Sequence, residues 1–298
     1  MTASGAVVTV GSFDGVHRGH QAVLALVVRL ARGRGLTSAL VTFEPHPLDV
    51  VNPAAAPQLL TVADEKREIL AQMELDRLVV LPFTTELARL GPEEFLRDVL
   101  VRGHDLRELV IGYDHGFGRG RSGDLEVVKS LAATAGIPVH VVEAVRDGDR
   151  PISSTLVRGA VSGGDLEAAN RWLGRPYALL GRVEHGAGRG RTIGVPTVNL
   201  AAPDARKLLP PDGVYAVRLY WRGGCWGGMM NQGSRPTFGV AARGLEIHLF
   251  DFSGELYGEM VQVEWVRRLR DVQAFPSRDA LVEQLGRDAR VARESLNL

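Results

Sequence analysis

The sequence predicts two folded units in one chain: an α/β unit of the Rossmann-like kind, then an antiparallel β-barrel with a C-terminal helix. Three observations carry that expectation. At 298 residues the chain has room for two domains of ordinary size, ~100–200 residues each. Up to Leu173, short β-branched runs alternate with helical patterns, as when parallel strands are joined by helices. Beyond Tyr177, strand-like runs are separated by Gly, Pro and Ser turns, and no helical pattern returns until Ser277–Leu296, as in a barrel. The domains are therefore set at residues 1–176 and 177–298.

The elements follow in order. Val7–Val10, Ala39–Phe43, Leu78–Leu81, Leu109–Ile111 and Val139–Val142 are short and apolar on both faces, so they read as strands of a buried parallel sheet. Between them Gly19–Arg32, Ala63–Glu74, Pro92–Val101 and Asp124–Ala135 read as helices. Pro92 with Glu93 and Glu94 behind it marks a helix start. Two shorter helices are expected near Ser154–Val161 and Asp165–Leu173. In the second half Val214–Trp221, Cys225–Met230, Leu245–Phe252 and Met260–Val266 read as strands, and Arg222–Gly224 as a hairpin turn. Mixed charge at helical spacing over Arg278–Arg293 reads as a solvated helix face.

Composition excludes several classes. Lys+Arg and Asp+Glu both number 35, for zero net charge, so no bulk attraction to nucleic acid is expected. One cysteine excludes a disulfide framework and a cysteine zinc site, and fits a reducing compartment. No run approaches ~18 apolar residues, so no transmembrane helix is expected. The start, MTASGAVVTVGSFDG, lacks the basic region of a secretory signal. Together these features predict a soluble cytoplasmic protein. Glycine is the outlier, at 35 residues, or about 12% against an ordinary ~7%. Without a Gly-X-Y period, the excess belongs to turns or to loops that approach a ligand closely.

The segment GSFDGVHRGH (Gly11–His20) follows the first strand, and open α/β sheets bind ligands at such carboxyl ends. Gly11 and Gly15 let the backbone approach an anion. The helix after Gly19 offers free N–H groups. His17 and His20, three apart, share one face of a helix start, and the set suits nucleotide phosphates. A capping histidine on an ordinary turn is the competing reading; a zinc site lacks companion ligands. ISSTLVR (Ile152–Arg158) places hydroxyls and an arginine at a helix start, suited to phosphate oxygens or to plain N-capping. TFEPHP (Thr42–Pro47) and IGYDHGFGRGRSGD (Ile111–Asp124) close the second and fourth strands; the latter reads equally as a surface loop.

In the second half, within GRVEHGAGRGRTIGVPTVNL (Gly181–Leu200), the five glycines of Gly181–Gly194 read as a loop that wraps a ligand, with Arg189 and Arg191 for phosphates or for solvation, and the Thr-x-Asn spacing that follows reads as a turn. Glu246, His248, Phe250 and Phe252 alternate on one strand face, so Glu246 is expected to point inward with its neighbours. A salt-bridged strand glutamate is the alternative.

From Val10 to about Ala292 these segments, in this order, resemble the bacterial bifunctional riboflavin kinase/FAD synthetases. HRGH and ISSTLVR resemble the HxGH and ISSTxxR signatures of the nucleotidyltransferase superfamily, whose members attack the α-phosphate of ATP with a phosphorylated acceptor and release pyrophosphate. PTVN (Pro196–Asn199) resembles the kinase module's PTAN. NQGSRPTF (Asn231–Phe238) resembles its NIGxRPTF, and LEIHLFDFSGELYG (Leu245–Gly258) a further kinase motif.

The resemblance implies an FMN adenylyltransferase domain followed by a riboflavin kinase domain, with riboflavin, FMN, FAD and ATP as ligands and neither nucleic acid nor membrane as partner. It implies catalytic roles for His17 and His20, and for Glu246 as kinase base. It assigns nucleotide binding to Gly11, Phe13, Asp14, Gly19, Ser154, Thr155 and Arg158, and in the kinase to Gly186, Gly188 and Arg191. The flavin falls to Phe43, Pro45, His46, Asp114 and Phe117, and in the kinase to Asn231 and Arg235. Mg²⁺, arriving with ATP, falls to Thr197 and Asn199. Three positions depart from the family pattern: His115 replaces an aromatic, Gln232 an aliphatic and Val272 an acidic residue. Two rivals remain. Another HxGH transferase has no use for a kinase barrel; a flavin-binding protein with one inactive module is the non-enzymatic reading.

Overall fold

The computed structural model describes residues 5–114, 116–118, 122–185, 196–234 and 243–298. Packing divides the chain into two compact units, Met1–Ser154 and Thr155–Leu298.

In the first unit, among the described residues, five strands form one sheet in the order β3-β2-β1-β4-β5: β1 (Ala6–Val10), β2 (Thr37–Glu44), β3 (Arg77–Pro82), β4 (Leu106–Gly112) and β5 (Val139–Val142). All pairings are parallel, as expected from strands apolar on both faces. Alternation sends Val8, Val10, Val41, Leu109 and Ile111 to one face, against Phe95, Leu100 and Val128. Val7, Leu40 and Val110 face the other side, under Val23, Leu24 and Val27 of α1 (Arg18–Arg34). Strand order reverses at β1, and open sheets of this kind bind ligands beside such a switch point.

The remaining helices are α2 (Pro47–Val51), α3 (Ala63–Ala71), α4 (Thr85–Arg89), α5 (Pro92–Glu94) and α6 (Leu125–Thr134). Pro92–Val101, expected as one α-helix, is a single α-turn followed by a π-helix over Phe95–Arg102. Phe95 and Leu100 are both buried, and their five-residue spacing fits an i→i+5 repeat. A small hairpin, β6 (Arg146–Asp147) and β7 (Arg150–Pro151), follows β5.

α7 (Ser154–Gly163) begins at the last residue of the first unit, and the second unit carries the rest of it and α8 (Leu166–Leu173) ahead of its barrel. Among the described residues six strands close in the order β10-β11-β12-β9-β8-β13: β8 (Tyr177–Glu184), β9 (Val198–Leu200), β10 (Gly213–Trp221), β11 (Gly224–Ser234), β12 (Arg243–Leu249) and β13 (Met260–Arg270). β8 and β9 differ from expectation: the end of β8 stands where the glycines of Gly181–Gly194 predict a loop, and β9 where the Thr-x-Asn spacing predicts a turn. Gly181 in fact sits inside β8 opposite Val261. Its missing side chain hides the strand pattern, and the ladders to β13 and β9 supply the order instead. Tyr215, Val217, Met230, Leu245, Ile247 and Trp265 fill the interior, all fully buried.

α9 (Arg278–Leu296) docks on the outside of the barrel, with Ala292 and Leu296 against Ala216, Met229 and Phe250. Its charged residues are not all solvated, as the spacing suggested. Asp288 is buried and takes hydrogen bonds from Arg270 Nε and Nη2 (2.7–3.1 Å) and from Gln284 Nε2 (2.8 Å). Arg293 pairs with Asp251 at 2.8 Å and covers the Phe250 ring at 4.4 Å. Asp288 tolerates burial at the helix–barrel seam because its carboxylate is matched.

Gln232, the departure from an aliphatic residue, is explained by the interior. Its Nε2 donates to the carbonyls of Pro210 (2.6 Å) and Pro211 (3.2 Å), and its Oε1 accepts from Trp265 Nε1 (3.2 Å). One amide therefore links the entry to β10 with the largest buried side chain. Gln232→Ile is expected to leave the Trp265 N–H unpaired and to destabilise the barrel by about 1–3 kcal/mol. Thermal melting followed by tryptophan fluorescence checks this; an unchanged transition would show that the amide is dispensable.

Candidate active sites

The β1–α1 turn is held in an unusual backbone shape. Phe13, Gly15 and Val16 all have positive φ, at 48°, 79° and 40°. Glycine adopts this region freely, Phe rarely and a β-branched Val least of all. The surroundings over-determine it. The buried carboxylate of Asp14 accepts from the N–H groups of Leu60 (3.1 Å) and Thr61 (3.0 Å), and Thr61 Oγ1 accepts from the Gly15 N–H (3.0 Å). A Cβ on Gly15 would lie 2.7 Å from Leu60 Cδ1. The Asp14 carbonyl accepts from Ser154 Oγ at 2.9 Å, so the first residue of α7 is tied to the turn. Gly11 extends the sheet through its N–H to the Val41 carbonyl (3.0 Å).

His17 is the N-cap of α1, and its Nδ1 accepts from the His20 N–H at 3.3 Å. The capping reading thus holds, and it serves the chemical one. An Nδ1 that accepts leaves the ring proton on Nε2, which is then a fixed donor. The His20 ring stacks on His17 (centroids 3.7 Å apart, 18° between planes) and lies 4.6 Å from Phe13. A Cβ on Gly19 would press on the His17 ring at 3.1 Å. The spacing H-x-G-H is therefore one device: a capping ring, a residue that clears it and a second ring on top. Thr155 and Arg158 follow Ser154 along the first turns of α7.

Beyond β2, His46 caps α2 through Nδ1 and the Leu48 N–H (3.2 Å), and the Glu44–Pro45 bond is cis. Phe43 and Phe117 do not lie on a surface. Both are buried in one aromatic chain, Phe43 on Phe83 (5.3 Å) and Phe95 (6.3 Å), and Phe117 on Phe95 (5.2 Å). Asp114 is exposed just past β4. Sequence reasoning missed Phe83, Phe95, Thr61 and Lys66. For Lys66 a signal existed: it lies four residues before the buried Leu70 on the inner face of α3, an unusual place for a lysine.

In the barrel, Glu184 of β8 pairs with Asn199 of β9, Asn199 with Glu246 of β12, and Glu246 with Asn231 of β11. Residues directly opposite one another share a sheet face, so these four side chains form one lateral row. The expectation that Glu246 points inward is corrected: Leu245 and Ile247 are the fully buried neighbours, and Glu246 lies on the opposite, outer face. His248, two residues on, sets its Nδ1 at 2.9 Å from the Pro196 carbonyl. A carbonyl only accepts, so this ring nitrogen donates, and it secures the Pro196–Asn199 segment. Thr197 lines a cavity of about 360 Å³ with Val183, Val198, Leu249, Phe252 and Tyr257, beside the stacked rings of His185 and Tyr257 (3.8 Å). A larger groove of about 550 Å³ runs between α1 and Gln72–Glu74 and holds none of the motif residues. Gly186, Gly188, Arg191 and Arg235, like His115, lie outside the described residues.

Comparison with known proteins finds a separate match for each half of the chain. Residues 1–156 match the family model for FAD synthetase, and residues 173–296 the model for riboflavin kinase. The bifunctional riboflavin kinase/FMN adenylyltransferase of Escherichia coli (strain K12) is 38% identical over 99% of this chain and 94% of its own length. Its counterpart in Bacillus subtilis (strain 168) is 36% identical over 96% and 91%. A crystal structure described as a macrolide-efflux protein from Streptococcus pneumoniae matches with a TM-score of 0.89 and 33% identity, covering 98% of this chain and 95% of that one. That description names transport, yet among the described residues here no helix is long and apolar enough to cross a membrane. Two family models in the order of the two units, and relatives matched over nearly their whole length, carry more weight: the chain belongs to the family of bifunctional riboflavin kinase/FMN adenylyltransferases.

Proposed function

We propose how the two reactions of this family divide over the chain. Residues 177–298 convert riboflavin and ATP to FMN and ADP. Residues 1–176 convert FMN and ATP to FAD and pyrophosphate. The observation that supports this division is that two separate family models match the chain, one over residues 1–156 and the other over residues 173–296.

In the first site a phosphate oxygen of FMN attacks the α-phosphorus of ATP, and the bond to the departing pyrophosphate breaks. His17 Nε2–H and the His20 ring meet the charge on the phosphates, and the positive end of the α1 dipole adds to them. Gly11, Phe13, Asp14 and Gly19 hold the shape of the turn rather than the phosphate itself. Ser154 anchors that turn, while Thr155 and Arg158 take β- and γ-phosphate oxygens. Pro45, His46 and Asp114 contact the flavin, with Phe43 and Phe117 as the wall behind them.

In the kinase site the terminal ribityl hydroxyl attacks the γ-phosphorus, its proton passes to Glu246, and ADP leaves. Such transfer depends chiefly on positioning and on neutralising charge. Asn231 and Arg235 orient the flavin, and Gly186, Gly188 and Arg191 the nucleotide. Thr197 and Asn199 offer neutral oxygens beside two carboxylates in the ladder, a set that suits Mg²⁺ held largely by water and phosphate. When bound, the ion neutralises charge on the transferring phosphate. A cytoplasmic setting fits the demand for ATP in both steps.

Purified protein given riboflavin and MgATP is expected to accumulate FMN, then FAD, by chromatography. FMN without FAD would limit the chain to a kinase.

A further inference from the structure

Lys66, on α3, has no part in the roles above. It is only 9% exposed. Its Nζ donates to the carbonyls of Ser12 and Phe43, both at 3.3 Å, and to Thr42 Oγ1 at 3.4 Å. Thr42 Oγ1 in turn donates to the Ser12 carbonyl at 3.2 Å. These acceptors belong to two neighbouring strand ends. Ser12 follows β1 and leads into the histidine turn. Thr42 and Phe43 close β2 and lead into Pro45 and His46.

All three partners are neutral oxygens, and burying an ammonium among neutral partners is costly. Burial pushes Lys66 below the usual lysine range. Asp14 in the turn and Glu44 at the end of β2 oppose that shift, and Arg67 on the same helix adds to it. An apolar side chain of similar length would fill the space without that cost. The charge therefore has a use that packing alone does not give it. It sits at the carboxyl edge of the sheet, where ATP and FMN, both anions, have to meet.

We propose that Lys66 is a positioning residue for FAD formation: its ammonium clamps the ends of β1 and β2, fixing the spacing between the His17/His20 turn and the Pro45–His46 segment, and supplies a buried positive charge beneath the anionic substrates. This rests on the reading that those two segments hold ATP and FMN.

The test uses Lys66→Met and Lys66→Arg in the full-length protein. In Lys66→Met, kcat for FAD formation is expected to fall by ~10²-fold, the scale of a small misplacement of reacting groups. Riboflavin phosphorylation by the same preparation stays at the wild-type rate and reports an intact chain. Lys66→Arg restores most of the lost kcat. The pH profile adds a readout that mere packing would not move. In the wild type, kcat for FAD formation declines as pH rises through the Lys66 titration, because the neutral amine loses the clamp. In Lys66→Arg it persists to higher pH, since a guanidinium stays charged. An unchanged kcat in Lys66→Met, no rescue by arginine, identical alkaline limbs, or loss of both activities would each overturn the proposal. His20→Ala separates this inference from its premise. A normal FAD-forming rate there removes the assigned site, whereas slow His20→Ala with normal Lys66→Met removes only the role of Lys66.

Discussion

Replacing His20 by alanine is expected to lower the rate of FAD formation by ~10²–10³-fold, the scale of losing one preorganised donor to developing charge. Riboflavin phosphorylation continues at its normal rate, because its proposed residues all fall within residues 177–298 of the sequence. His20 is the cleaner of the two histidines to change. Its ring lies on top of His17 rather than capping the helix, so its removal leaves the cap in place. His17→Ala removes a charge-stabilising group and the N-cap of α1 together, and so costs about 1 kcal/mol of stability as well. Steady-state assays of FMN-to-FAD conversion, read beside melting curves of both variants, separate these effects. A normal rate in His20→Ala would leave the ring pair a packing role only.

Glu246→Gln is expected to have the opposite selectivity. It keeps the size of the side chain and its place between Asn199 and Asn231, but takes away the proton acceptor. Loss of a general base lowers rates by ~10²–10⁴-fold, so FMN formation from riboflavin becomes nearly undetectable. Conversion of supplied FMN to FAD continues. Chromatography of parallel reactions started from riboflavin and from FMN reads both at once. If both conversions fail while the circular dichroism spectrum stays that of the wild type, the two reactions are not separable as proposed.

Much of the first unit was legible in the sequence because its strands are apolar on both faces, which only a buried parallel sheet uses throughout. Helix starts were legible where a side chain does the capping: Asp124, Asp165 and Ser277 each accept from the N–H three residues on. HRGH was legible as a turn-and-phosphate device, although not the stacking of its rings. Other features depend on partners distant in sequence. β8 and β9 are strands because of β13 and β12; Gly181 and the three-residue length of β9 conceal them. The face taken by Glu246 was misread because α9 covers part of the outside of the barrel. Phe250 on that side is as buried as Leu249, so apolar alternation could not tell inside from outside. Lys66 lies far in sequence from Ser12, Thr42 and Phe43, the groups that give its charge meaning.

The lateral row in the barrel has a consequence for how such a sequence can change over generations. Glu246 stands between two core residues, Leu245 and Ile247, and Asn199 directly precedes the buried Leu200. Adding or deleting one codon inside either strand would exchange the faces, putting a carboxylate or an amide into the core and a leucine into the row. Two codons would restore the faces but shift the row against its neighbours. Single-base substitutions can therefore accumulate along these strands, while gain and loss of length is confined to the connections between them. In an alignment of descendants, gaps are expected to stop at the ends of β9 and β12.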